Sequence, residues 1–115
     1  MTFDQFISQA KPLNRAWVTD GNLDIYVRLA LHNCQGSGLK TLDLANFEIA
    51  DEDLRGQGEF TRFLEKAERV AKELERTVYV ESIMNDRLLG FLIRRGYRLV
   101  DQWANPAPSV FLPSE

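Results

Sequence analysis

The chain has 115 residues, of which 44% are hydrophobic and 27% charged, with one cysteine, one histidine and a net charge of −3. That length and mix describe a single globular domain over 1–115, neither a disordered tail nor a fold needing staples. The acidic balance argues against nucleic-acid binding, no apolar run approaches the ~18–20 residues of a membrane span, and the start has no basic-then-apolar leader.

Cys34 and His32 are the only residues of their kinds, so neither an internal disulfide nor a zinc site can be built, which favours a reducing, cytoplasmic setting. In chain order, Phe3, Phe6, Ile7 and Ala10 share the spacing of one helical face, with Thr2 as N-cap and Pro12 as the stop. Trp17-Val18 reads as a short strand before the turn Asp20-Gly21-Asn22. From Leu23 to Leu31 apolar residues alternate, with Asp24, Tyr26, Arg28 and Ala30 on the opposite face, as in a strand with one buried side. The turn formers Asn33 to Gly38 then predict a hairpin into a strand over Leu39–Ala50. In that strand Leu42 and Leu44 are even but Phe47 and Ile49 odd. Either a bulge near Ala45-Asn46 keeps all four on the core side, or the strand is buried on both faces.

Phe60, Phe63, Leu64, Ala67, Val70, Ala71 and Leu74 form one apolar helical stripe, with Glu65–Arg69 and Glu68–Lys72 as i,i+4 pairs on the wet side. Thr77–Ser82 is rich in β-branched residues and reads as a strand. Asn85 caps a second helix that ends at Gly96, with Arg94 and Arg95 in its last turn. Tyr97–Asp101 and Val110–Leu112 close the series as short strands. The fold class expected is α/β (α+β): a mixed, mostly antiparallel twisted sheet with helices on both faces.

The most informative segment is Arg55-Gly56-Gln57-Gly58, between a strand and a helix. Glycines there permit a sharp turn and close backbone approach, and the first helical amides have no internal partner. Such a turn either reverses the chain only or holds an anion, classically a diphosphate, with Arg55 adding a charged donor.

Ile49-Ala50-Asp51-Glu52-Asp53-Leu54-Arg55-Gly56-Gln57-Gly58 resembles the motif A region of GCN5-related N-acetyltransferases, whose core is Gln/Arg-x-x-Gly-x-Gly/Ala at a strand-to-helix junction. Asn85 to Tyr97, an asparagine-opened helix ending in glycine and an aromatic, resembles the family's motif B. The ordered pair lies at the family's separation, and the resemblance covers roughly 23–112. It implies acetyl-CoA, with its pyrophosphate on the amides of Gln57, Gly58, Glu59, Phe60 and Thr61. The pantetheine arm would lie between two splayed strands, pairing with backbone around Phe47, Ile49 and Ala50, and Asn85 would help hold it. Two positions depart from the pattern. Phe60 stands where motif A has Gly/Ala, and Leu92 stands where many members carry a tyrosine that protonates the leaving thiolate.

The resemblance implies transfer of an acetyl group to a primary amine, on a protein or a small polyamine-like molecule. A carboxylate must then take a proton from the ammonium, directly or through water. Glu81 and Glu48 lie nearest the carboxyl ends of the two strands, although each also reads as an ordinary solvated strand residue. Ser82 could orient a water; Tyr26 and Tyr79 read as sheet residues, and His32 and Cys34 as structural or exposed. The alternative expectation is a non-catalytic binding or inhibitory module on the same fold, which Phe60 and Leu92 favour. The family usually carries two helices after its first strand. Here the N-terminal helical region is reduced, so the acceptor side is expected to be open, or completed by a second subunit in a homodimer.

Overall fold

The computed structural model describes residues 1–8, 15–47, 58–100 and 107–113. They form an α+β domain of three helices and one six-stranded mixed sheet. In chain order the elements are α1 (Phe3–Ile7), β1 (Arg15–Asp20), β2 (Leu23–Cys34), β3 (Ser37–Ala45), α2 (Glu59–Glu73), β4 (Thr77–Val80), α3 (Asp86–Arg94), β5 (Arg98–Leu99) and β6 (Val110–Phe111). The sheet order is β1-β2-β3-β4-β6-β5, with β3 and β4 parallel and every other neighbouring pair antiparallel.

Local chemistry accounts for most of these elements. Thr2 caps α1 with a reciprocal box: its hydroxyl accepts from the Gln5 amide while the Gln5 side chain accepts from the Thr2 amide. Gly21, at φ +62°, makes the two-residue turn that pairs Asp20 with Leu23. Gln35 and Gly36, both at positive φ, turn β2 into β3 and pair Cys34 with Ser37. That turn sets the register of the longest hairpin, in which Arg28 faces Asp43 and Val27 faces Leu44.

The core lies on one face of the sheet. Val18, Ile25, Val27, Leu42, Leu44, Val78, Val80 and Val110 join Phe3 and Phe6 of α1, Phe60, Phe63 and Leu64 of α2, and Leu88 and Leu92 of α3. Each fully buried side chain of this size contributes about 1.5–3 kcal/mol by leaving water. All three described helices therefore pack on the same side, not on both sides as expected from sequence. The topology explains it. From β3 through α2 to β4, and from β4 through α3 to β5, the chain steps in one direction across the sheet. Two right-handed crossovers in one direction put both helices on one face. On the other face Cys34, Tyr79, Val100 and Phe111 make a small second cluster.

Several boundaries differ from expectation. β3 ends at Ala45 instead of Ala50, where Asn46 takes φ +52°. Phe47, odd in number, nonetheless packs on the same core as Leu42 and Leu44, so the left-handed Asn46 makes the change of parity. β4 stops at Val80 rather than Ser82, and Leu31, beyond the helices, is exposed. Glu68 does not pair along its own helix with Lys72. Its carboxylate takes two bonds from Arg95, at 2.7 and 2.9 Å, and one from the Tyr97 hydroxyl at 2.7 Å, which ties α2 to the end of α3.

Candidate functional site

The parallel pair β3 and β4 runs in register from Thr41–Thr77 to Leu44–Val80 and closes with the Glu81 amide donating to the Leu44 carbonyl at 3.0 Å. Beyond that bond the strands part. Asn46 and Ser82, one on each side, both adopt φ +52°, a left-handed conformation that asparagine tolerates but that costs a residue such as serine about 1–2 kcal/mol. The neighbouring chain holds Ser82 there. Its amide donates to Ser109 Oγ at 2.9 Å, and the Ile83 amide donates to the Pro108 carbonyl at 2.7 Å. A cavity of about 430 Å³ opens in the gap, with Asn46 and Phe47 on one wall, Glu81 to Asn85 on the other, and Leu88 of α3 beneath.

Phe60, the departure from the small residue of motif A, is fully buried and turns into the core. Its ring stacks on Phe47, centroids 5.1 Å apart, so it supports the cavity wall. Gly58 is the N-cap of α2 and has no side chain to bond the first-turn amides. Glu59, in that first turn, sends its carboxylate to the β1–β2 turn, accepting from the Asn22 amide at 2.8 Å. Thr61 is buried one residue further on from Phe60. Asn85 caps α3, its Oδ1 accepting from the amides of Arg87 at 2.9 Å and Leu88 at 3.2 Å, and it borders the cavity. Glu48, Ile49, Ala50, Arg55, Gly56 and Gln57 lie outside the described residues. The structure thus brings together Phe47, Glu81 and Asn85 around one cavity, and puts Gly58, Glu59, Phe60 and Thr61 at the start of the helix that buttresses it.

Glu81 also belongs to a charge network on the face away from the helices. Arg28 donates through Nε to Asp43 Oδ2 at 3.0 Å and through its terminal nitrogen to Glu81 Oε2 at 3.0 Å. Asp43 is fully buried. Its Oδ2 lies 2.8 Å from His32 Nε2, and its Oδ1 accepts from Thr41 at 2.6 Å. Burial works against the Arg28 charge, but the bonds to Asp43 and the charges of Glu81 and Asp43 outweigh it and raise its pKa above the ordinary value. His32 stacks flat on Tyr79, centroids 3.9 Å apart. Burial, offset in part by a bond with Ser109, raises the Tyr79 hydroxyl, and burial with the charge of Asp43 nearby raises the Cys34 thiol. A raised thiol is a poor nucleophile at neutral pH. Tyr26 leans on the exposed Trp17 on this same face.

Leu92 is fully buried in the core. Tyr97, also buried, is bound to Glu68; burial first, then the neighbouring Glu68 charge, push its hydroxyl well above the ordinary pKa. Neither residue lines the cavity.

Sequence reasoning singled out Glu81 but missed Arg28 and Asp43 as its supports. The signal was present: with the hairpin turn centred on Gln35-Gly36, residues 28 and 43 must oppose each other, and both lie on the polar side of their strands.

Compared with known proteins, the chain matches no family model and no curated protein. No described helix is long and apolar enough to cross a membrane.

Proposed function

We propose that the chain is an acetyl-CoA-dependent N-acetyltransferase with a GCN5-related fold, acting in the cytoplasm on a primary amine. One observation carries the reading. The only parallel strand pair among the described residues parts immediately past Leu44 and Val80 into a cavity of about 430 Å³, between the strands that precede α2 and α3. An extended acyl-carrier arm needs such a gap, because diverging strands offer backbone groups that no longer pair with each other. The residues fit the group in two further respects. Gly58, the N-cap of α2, brings no side chain of its own to the first-turn amides, and Phe60 is withdrawn into the core. A helix start of that kind suits a diphosphate.

When bound, the cofactor supplies an activated acetyl thioester. Glu81, at the cavity wall, takes the proton that the attacking amine must lose, directly or through one water, and passes it to solvent. Leu92, buried in the core where a tyrosine would stand, offers no proton donor, so water would supply the proton that a leaving thiolate needs. The reduced N-terminal helical region would leave room for a large acceptor or for a second subunit that completes the acceptor side.

Titration calorimetry with acetyl-CoA tests the reading. Binding is expected, and Gly58→Asp should weaken it by tenfold or more, because the new carboxylate both caps the amides and repels phosphate. Glu81→Gln should cut turnover by about 10²–10⁴-fold with acetyl-CoA affinity retained. No binding at millimolar cofactor would overturn the proposal. Binding without turnover on any amine would favour the non-catalytic module, for which the burial of Leu92 and Tyr97 away from the cavity speaks.

A further inference from the structure

We infer that Arg28 is a positioning residue for Glu81, anchored from below by the buried carboxylate of Asp43; the inference rests on the acetyltransferase reading.

A fully buried carboxylate is costly unless its oxygens are bonded. Asp43 meets that requirement with Thr41 on Oδ1 and with His32 and Arg28 on Oδ2. Two of these donors, His32 and Thr41, come from β2 and β3 and end at Asp43. Arg28 does not end there. Its terminal nitrogen is 2.9 Å from Asp43 Oδ2 and 3.0 Å from Glu81 Oε2, bridging a buried charge to the residue at the cavity wall. The planar fork of a guanidinium, once fixed at one edge, fixes the direction of its remaining donors. Arg28 and Asp43 are direct cross-strand partners, so the backbone register sets the first edge. Glu81 lies just past the end of β4, where the ladder stops, and its side chain is about one third exposed. Without Arg28 its carboxylate would sample the rotamers of a free surface glutamate. With Arg28 it is held by Oε2, while Oε1 has no partner among the described residues and remains for the acceptor's proton. Effective proton transfer needs that placement before it needs basicity.

The test uses the full-length chain with acetyl-CoA and an amine acceptor on which the wild type turns over. Arg28→Gln is expected to lower kcat at least tenfold, with acetyl-CoA affinity within threefold of wild type. Arg28→Lys, which keeps the charge but loses the fork, should not restore kcat. The double variant Arg28→Gln/Glu81→Gln should be no slower than Glu81→Gln alone, since both changes remove one function. Arg15→Gln, opposite Arg28 on β1 but without a described contact to Glu81, serves as the charge control and should behave as wild type. Full recovery by Arg28→Lys, or an unchanged kcat in Arg28→Gln, would overturn the positioning role and leave the acetyltransferase reading intact. Failure of both Arg28 variants to fold, judged by circular dichroism, would show a structural role and overturn it equally. If the wild type neither binds acetyl-CoA nor turns over, the parent reading fails and the inference falls with it.

Discussion

Helices α2 and α3 each follow a strand of the parallel pair, yet different physics starts them. α3 begins at Asn85, whose side chain bonds two first-turn amides. α2 begins at Gly58, which has no side chain to offer, and is located instead by Phe60 in the core and by Glu59 reaching the Asn22 amide. A capped start is self-sufficient. The N-cap of α2 brings no side chain of its own to the helix, which is why the proposed phosphate end is at α2 and not α3.

Breaking the packed start should cost most. Phe60→Ala removes a fully buried ring that stacks on Phe47. A loss of about 3–5 kcal/mol in chemical denaturation is expected. Because Phe47 lines the cavity, acetyl-CoA affinity should fall in the same variant. A loss below about 1 kcal/mol would mean that α2 is not placed by this ring.

The contact between the two helices comes next. Tyr97→Phe removes a buried hydroxyl bond to the Glu68 carboxylate and should cost about 1.5–2 kcal/mol. Its pH signature is specific. The native pKa of Tyr97 is raised above the ordinary 10.0, so the protonated phenol is the form the fold prefers. Its contribution is intact below about pH 10 and is lost as pH rises through the native value. Wild-type stability should therefore decline on the alkaline side, and Tyr97→Phe should lack that part of the decline. Urea midpoints measured from pH 8 to pH 11 check it.

At the capped start the expected effect is smaller. Asn85→Ala leaves two amides without their acceptor and should cost about 1 kcal/mol. Gly58→Ser, which adds the cap bond that α2 lacks, should instead leave stability unchanged or raise it by a few tenths of a kcal/mol. Equal losses at both positions would erase the distinction between the helices.

These differences mark what a sequence can carry. Asn85, Thr2 and Gly96 act through groups a few residues away, so the caps and turns were legible, as were the stripes of α2 and α3. The stack of Phe60 on Phe47, the Glu68–Arg95–Tyr97 link and the single helix-bearing face of the described residues depend on which elements become neighbours, and no local spacing encodes that. The same holds for the site. The place of Glu81 just past a strand and of Asn85 at a helix start was legible from local spacing, and both border the cavity. Asp43 was hidden because a carboxylate between Leu42 and Leu44 looks like the solvated half of an alternating strand. Only pairing with Arg28, His32 and Thr41 makes its burial tolerable.

The two helices also end alike, and there the comparison yields its finest test. Each closes with crossed carbonyl bonds: the amides of Arg76 and Glu75 reach Ala71 and Lys72 after α2, and those of Tyr97 and Gly96 reach Leu92 and Ile93 after α3. That geometry needs a left-handed residue just past the cap. α3 supplies Gly96 at φ +109°, whereas α2 supplies Glu75 at φ +57°. Glu75 pays a steric penalty of about 1–2 kcal/mol and also puts a negative charge at the negative end of a helix. Glu75→Gly removes both, but gives the unfolded chain more freedom, which offsets about 0.5–1 kcal/mol. The net expectation is a gain of about 0.5–1 kcal/mol in denaturation midpoint experiments, with acetyl-CoA binding unchanged because the α2 end lies at the far end of the helix from Gly58. Gly96→Ala, the reverse change at α3, should lose about 1 kcal/mol through the backbone angle, since among the described residues the added methyl would meet only Leu112 Cδ1 at 3.8 Å.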